Sequence, residues 1–225
     1  MIFYDASTDP ELAVETAVLT EVVRAAAAVG VEVLVIGAVA RDIVIRHLLG
    51  ARPERATKDV DVAVAVAVAV ADWAAYEDLT SSLQRSSGPS HRFVVDGVDV
   101  DVIPFGGVES PGRSITWPDE MTMDVHGFAE AHRRAVLVRL PGGLEVRVAS
   151  LAAQSALKAL AWRDRRHEGT KDAIDLRTIL TAASEGSNLD DLYALHPDLL
   201  ELGRNPTLNA EMLEAYLVGL RAARQ

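Results

Sequence analysis

Asp59, Asp61 and Asp101 are the residues through which this chain can do chemistry. The first two open an alternating run, Asp59-Val60-Asp61-Val62-Ala63-Val64-Ala65-Val66. The third stands in a later one, Val98-Asp99-Val100-Asp101-Val102-Ile103. On a strand, residues i and i+2 share a face, roughly 6.6 Å apart along the axis. Asp59 and Asp61 therefore share a face with small alanines, and the valines form the opposite, core-directed face. Like charges this close repel unless a cation offsets them. A hard divalent cation such as Mg2+, or Mn2+, takes oxygen ligands and keeps waters and phosphates as its others. Two such ions about 3.5–4 Å apart activate an attacking oxygen and stabilise a leaving one. Asp101 is the expected third carboxylate. Asp99, on the same face, is the alternative.

The surrounding elements have to hold these acids beside a substrate. The apolar run Val33-Leu34-Val35-Ile36 reads as a short buried strand, and Gly37-Ala38 follows it directly. A strand turning through glycine into a helix presents backbone N–H groups that bind phosphate, and glycine permits close approach. The helix expected over 39–49 carries Arg41 and Asp42 in its first turns, where Asp42 offsets the helix dipole or one of the two stands near the nucleotide. A basic loop, Arg52 to Lys58, leads to Asp59. Asp96-Gly97 between two strand-like runs predicts a tight hairpin, with Asp101 on its second strand.

Before this stretch, Asp9-Pro10-Glu11 predicts a helix start, and Gly30 the end of that helix. After it, Asp72 is expected to cap a helix to residue 84. Residues 106–124 read as irregular, with Glu109 and Trp117 as candidates for substrate contact or loop packing. Two further strands, 135–140 and 144–148, flank Pro141-Gly142-Gly143. Ser150 caps a helix over 151–165 that carries Lys158, and Thr170 caps another over 171–183. Asp172 and Asp175 then sit in a helical first turn, where acids offset the dipole. Helical segments are expected near 189–195 and 208–223.

Composition sets outer bounds. The chain has 225 residues, 49% of them hydrophobic and 24% charged, enough for a substantial core. It has no cysteine, which excludes disulfides and thiolate metal sites and suits a reducing, cytoplasmic setting. The acidic N-terminus does not read as a signal peptide, and no apolar run is long enough for a membrane span. A net charge of −11 argues against a dedicated nucleic-acid binder, although Arg41, Arg46, Arg52, Arg55 and Lys58 cluster beside the acidic motif. The six histidines show no metal-ligand spacing.

Gly37-Ala38, a helix, Asp59-x-Asp61 and the later Asp101 strand resemble the signature of the DNA polymerase β-type nucleotidyltransferase superfamily. Gly37 with Arg41-Asp42 is similar to the GGxxRD of tRNA nucleotidyltransferases and poly(A) polymerases. Ser155-Ala-Leu-Lys158 and Lys171-Asp172-Ala-Ile-Asp175-Leu176 resemble the AbiEii-type nucleotidyltransferase toxins of type IV toxin–antitoxin systems. One position departs from the pattern: Ala38 replaces the usual second Gly or Ser, which removes a hydroxyl contact to phosphate.

The resemblance implies an α/β (α+β) fold. A mixed, twisted sheet with flanking helices would form a catalytic domain over 1–149, and a helical part would follow over 150–225. It implies transfer of a nucleoside monophosphate from an NTP to an acceptor hydroxyl, on a tRNA 3′ end or a protein, with a cognate antitoxin as partner. Under it Lys158 binds phosphate and Asp172 joins the active site, approaching from the side opposite the three aspartates. A small-molecule acceptor, as in antibiotic nucleotidyltransferases, and an inactive nucleotide-binding module are the alternatives.

Overall fold

The computed structural model describes residues 3–49, 60–66 and 73–186, and at 47–49, 60–66 and 182–186 the backbone alone. Asp59, the basic loop from Arg52 to Lys58, the helix cap at Asp72 and the helices expected beyond residue 186 lie outside the described residues.

The chain opens with β1 (Phe3–Asp5), a 3-10 turn (Pro10–Leu12) and α1 (Ala13–Ala28). Next come β2 (Val33–Val35), α2 (Gly37–Leu49), β3 (Val60–Val66), α3 (Ala74–Ser81) and β4 (Gln84–Arg85). β5 (Arg92–Val95) and β6 (Val98–Gly106) form one hairpin, and β7 (Ser114–Thr116) and β8 (Thr122–Asp124) another. α4 (Phe128–Arg133), β9 (Val136–Arg139), a second 3-10 turn (Pro141–Gly143), β10 (Glu145–Val148), α5 (Leu151–Arg165) and α6 (Lys171–Gly186) complete the described elements.

Eight strands make one mixed sheet, ordered β1-β9-β10-β2-β3-β6-β5-β4, and β7-β8 pair separately. β1 with β9, β10 with β2 and β3 with β6 run parallel, and the other neighbours run antiparallel. This is the α+β architecture expected from the sequence. β2 lies inside the sheet, so its residues are all buried and its sequence is uninterruptedly apolar.

Helix boundaries follow local chemistry. The Asp9 carboxylate accepts the Glu11 N–H at 2.9 Å, and Pro10 begins the 3-10 turn that runs into α1. Val18, Leu19, Val22 and Ala26 of α1 are buried at helical spacing, and Gly30 ends it with φ of 72°. Ser150 Oγ accepts the Ala153 N–H at the start of α5.

The β5–β6 hairpin turns through Asp96 (φ 50°) and Gly97 (φ 78°), the positive pair that a two-residue turn requires. The Val102 N–H donates to the His91 carbonyl at 2.8 Å, so the corresponding edge of β6 faces β5. Two residues on, Pro104 has no N–H to offer on that edge, but β5 has already ended there. A proline inside a nine-residue strand is thus accommodated.

Two local expectations are corrected, and of the two readings given for Glu109 and Trp117, loop packing holds. Residues 106–124 are not irregular throughout, because β7 and β8 pair within them. Glu109 accepts the Gly106 N–H at 2.6 Å and pairs with Arg113, while Trp117 is buried against Trp73, Tyr76 and His91. Both residues pack the loop. The helix expected to reach residue 84 ends at Ser81, and Gln84–Arg85 instead pairs with β5 at the sheet edge.

Candidate active site

The sheet brings two of the three expected acids together. β3 and β6 run parallel, with Asp61 directly in register with Asp101. Neighbouring strands lie about 4.8 Å apart, so the two positions are adjacent across the ladder. The same register pairs Val60 with Val100 and Val62 with Val102, and Val100 and Val102 are fully buried. Asp99 is two residues off the Asp61 level, so the register pairs Asp101 with Asp61.

Asp101 is largely buried, with its side chain 12% exposed, and it is held from the other side by β5. Arg92 stands opposite it in the antiparallel register. The guanidinium donates from Nε to Oδ1 at 2.6 Å and from Nη2 to Oδ2 at 2.7 Å. His91 Nε2 lies 4.0 Å from Oδ1, and the ring packs on Trp117 at 5.4 Å. Burial pushes the His91 pKa down, against the opposing pull of Asp101. Tyr76 donates to the Val102 carbonyl at 3.0 Å, and burial raises its pKa. An aromatic wall thus backs the strand that carries Asp101.

The phosphate turn has the expected geometry. β2 ends at Val35 and α2 begins at Gly37, whose φ is 74°. That left-handed conformation is where glycine avoids a Cβ clash costing roughly 1–2 kcal/mol. Gly37→Ala is therefore expected to lower stability by about that amount, measured by denaturant unfolding. An unchanged midpoint would show that the turn does not need glycine. Ala38 is buried and supplies only its backbone and a methyl group.

Behind this turn lies a buried ionic network. Arg41, 4% exposed, donates from Nη1 to Asp175 Oδ1 at 2.7 Å and from Nε to Asp42 Oδ1 at 2.7 Å. Lys158 Nζ donates to Asp172 Oδ1 at 3.1 Å. It also lies 2.8 Å from Asp175 Oδ2, an ion pair without hydrogen-bond alignment. Arg165 Nη2 donates to Asp172 Oδ2 at 3.0 Å. These contacts join α2, α5 and α6 and set Arg41, Lys158 and Arg165 against Asp42, Asp172 and Asp175. Lys158 is therefore neither solvated nor a bare cation, and Asp172 and Asp175 do more than offset a helix dipole.

Burial raises the Asp42 pKa, and the Arg41 and Arg46 charges only partly offset it. A carboxylate whose folded pKa lies above its unfolded one loses stabilising effect as pH rises through that window. Asp42→Asn has no such titration. Its stability relative to wild type should improve from the ordinary carboxylate range up to the raised value, then level off. Unfolding free energies measured across that pH series check this, and a pH-independent difference would contradict it.

Of the expected site residues, Asp61 and Asp101 meet on the sheet, while Arg41, Lys158 and Asp172 meet in the helical network. Gly37 and Ala38 start the helix that carries Arg41. Asp59 lies outside the described residues. Arg92, His91 and Arg165 were not singled out from the sequence. Counting outward from the Asp96-Gly97 turn puts Arg92 opposite Asp101, so the signal for it was present. Nothing local in the sequence marks Asp175 as the partner of Arg41.

The family described as "Nucleotidyl transferase AbiEii toxin, Type IV TA system" matches residues 43–215. The chain belongs to that family and is a nucleotidyltransferase. The matched span includes Asp59, Asp61, Asp101, Lys158 and Asp172 and begins after Gly37 and Arg41. Among solved structures, a crystal structure of ANT(2")-Ia in complex with adenylyl-2"-tobramycin is 14% identical with a TM-score of 0.46, covering 84% of this chain and 98% of that one. A solution structure of the antibiotic-resistance factor ANT(2'')-Ia is 14% identical with a TM-score of 0.43, covering 84% and 96%. No curated protein matches the chain. Among the described residues, no helix is long and apolar enough to cross a membrane.

Proposed function

We propose that the chain transfers a nucleoside monophosphate from an NTP to an acceptor hydroxyl at the site formed by Asp59, Asp61 and Asp101. The observation that carries this reading is the register of Asp61 with Asp101 on adjacent parallel strands, in a chain of this family. The donor set is all carboxylate oxygen, which fits a hard divalent cation, Mg2+ or Mn2+. Asp59, Asp61 and Asp101 would hold it. When bound, it neutralises charge on the triphosphate and on the departing pyrophosphate.

The chain's own groups do the rest. The backbone N–H groups at Gly37 and Ala38 hold phosphate oxygens at the start of α2. Arg41 sits one turn further along α2, where its pairing with Asp42 and Asp175 fixes the helix start that carries those groups. Lys158 has three N–H donors, and those not donated to Asp172 face the departing pyrophosphate. Asp172 and Asp175 set where that ammonium stands. Holding the cation suits Asp101 better than acting as general base. Both its oxygens already accept N–H groups from Arg92, and taking a proton would weaken one of those bonds.

The sheet-bearing part, 1–149, then supplies the acids and the phosphate turn, and the helical part, 150–225, supplies Lys158 and Asp172 from the other side. The acceptor is a tRNA 3′ end or a protein hydroxyl. The chain acts as the toxin of a pair, in the cytoplasm, with a cognate antitoxin as its partner. A small-molecule acceptor is the second reading, favoured by the net charge of −11.

The test is label transfer with each α-labelled NTP, Mg2+, and total RNA or cell lysate. Label on RNA or on a protein band supports a macromolecular acceptor. Label confined to a small-molecule fraction overturns the toxin reading and favours the second one.

A further inference from the structure

Arg92 belongs to none of the motifs that define the site, yet among the described residues it makes the closest contacts to Asp101. It projects from β5, one strand further from β3, so Asp101 stands between Asp61 in one register and Arg92 in the other. The pairing is fork to fork, 2.6 Å and 2.7 Å, with both carboxylate oxygens engaged. Such bidentate geometry fixes the plane of a carboxylate as well as its position. A lysine ammonium is a point charge and cannot reproduce it. The guanidinium side chain is 29% exposed and the carboxylate 12%, so the pair lies where screening by water is incomplete.

This places a permanent positive charge against one ligand of a site that the reading above gives to a divalent cation. Each Asp101 oxygen keeps a further lone pair, so the carboxylate can accept a cation while it is held. The guanidinium then has two effects. It sets the direction from which Asp101 meets its ligand, and it weakens the pull of the acidic cluster on a bare cation. An incoming NTP brings negative charge that restores that pull.

We propose that Arg92 is the positioning residue of the third carboxylate: it orients Asp101 and restrains cation binding until nucleotide arrives. The proposal rests on the cation site described under the proposed function.

The experiment uses the full chain with Arg92→Gln and Arg92→Lys, titrated with Mn2+ alone by calorimetry. Turnover is measured separately with saturating Mg2+ and NTP. Arg92→Gln should bind Mn2+ about ten-fold more tightly than wild type, since one opposing charge is gone, while its turnover falls. Its melting temperature should drop without metal and recover on adding Mn2+. Arg92→Lys, which keeps the charge and loses the fork, should bind Mn2+ as wild type does and still turn over slowly. A purely structural arginine would weaken Mn2+ binding or leave it unchanged in Arg92→Gln, and either result overturns the proposal while the cation site stands. If neither wild type nor Arg92→Gln binds Mn2+, the cation site itself is wrong and the role of Arg92 goes with it.

Discussion

Asp61→Ala should lower nucleotidyl transfer at least about a thousand-fold, the scale seen when a group that stabilises transition-state charge is removed. The argument comes from topology. The β3–β6 ladder sets Asp61 level with Asp101, and among the described residues neither acid has a substitute at that height of the sheet. Asp99 is the internal control. It lies on β6 opposite Val94, two residues from the Asp61 level. Asp99→Ala should retain most of the activity, whereas Asp101→Ala should behave like Asp61→Ala. Initial rates at saturating NTP and Mg2+ measure this. A severe defect in Asp99→Ala together with an active Asp101→Ala would assign the third carboxylate to the wrong residue.

The second large effect is on stability. Asp175→Asn removes the charge that faces both Arg41 and Lys158 in a buried setting. Breaking a buried ion pair from one side costs up to about 3–5 kcal/mol. Here Arg41 keeps Asp42 and Lys158 keeps Asp172, so the cost is that of two desolvated cations each losing one of two carboxylate partners. For a chain of this size that corresponds to a fall in melting temperature of roughly ten degrees. Arg41→Met should be costly for the same reason. The double variant Arg41→Met/Asp175→Asn should cost clearly less than the two single losses combined, because the charges that remain are fewer. Thermal unfolding of the four proteins gives the coupling. Additive losses would mean that the 2.7 Å contact contributes nothing of its own. Because this network ties α5 and α6 to the helix that begins at the phosphate turn, Asp175→Asn should also raise the KM for NTP.

Much of this architecture was legible in the sequence wherever the signal was local. Asp96-Gly97 specified a hairpin and, by counting, its register. Pro10, Gly30 and Ser150 marked helix limits through one residue's φ or one capping oxygen. The buried run Val33-Leu34-Val35 announced a strand enclosed on both sides. Other features were not local. β1 has three residues, and its partner is β9, with Phe3 beside Leu137, so nothing within a short window marks it as a strand. β7 and β8 are as short, and only Ile115 among their residues is buried, which leaves too little alternation to read.

The site divides in the same way. The acids on β3 and β6 stood out because strand periodicity places them. The phosphate turn stood out because only glycine suits its φ. Pattern alone did not mark the helical network: the family resemblance marked Lys158 and Asp172, but the pairing depends on how α6 packs against α2, which brings Arg41 to Asp175 across 134 residues. Seen alone, Asp172 and Asp175 are ordinary first-turn acids and Lys158 an ordinary helix lysine. Packing gives them partners.

The central claim is that the α-phosphorus of an NTP is the reacting atom at the Asp61–Asp101 pair. The most direct measurement compares α-labelled and γ-labelled NTP in the same reaction, with wild type and Asp61→Ala. The account predicts that α-label moves to the acceptor while γ-label leaves as pyrophosphate, and that Asp61→Ala does neither. Transfer of γ-label to the acceptor, or α-label transfer by Asp61→Ala at the wild-type rate, would contradict it.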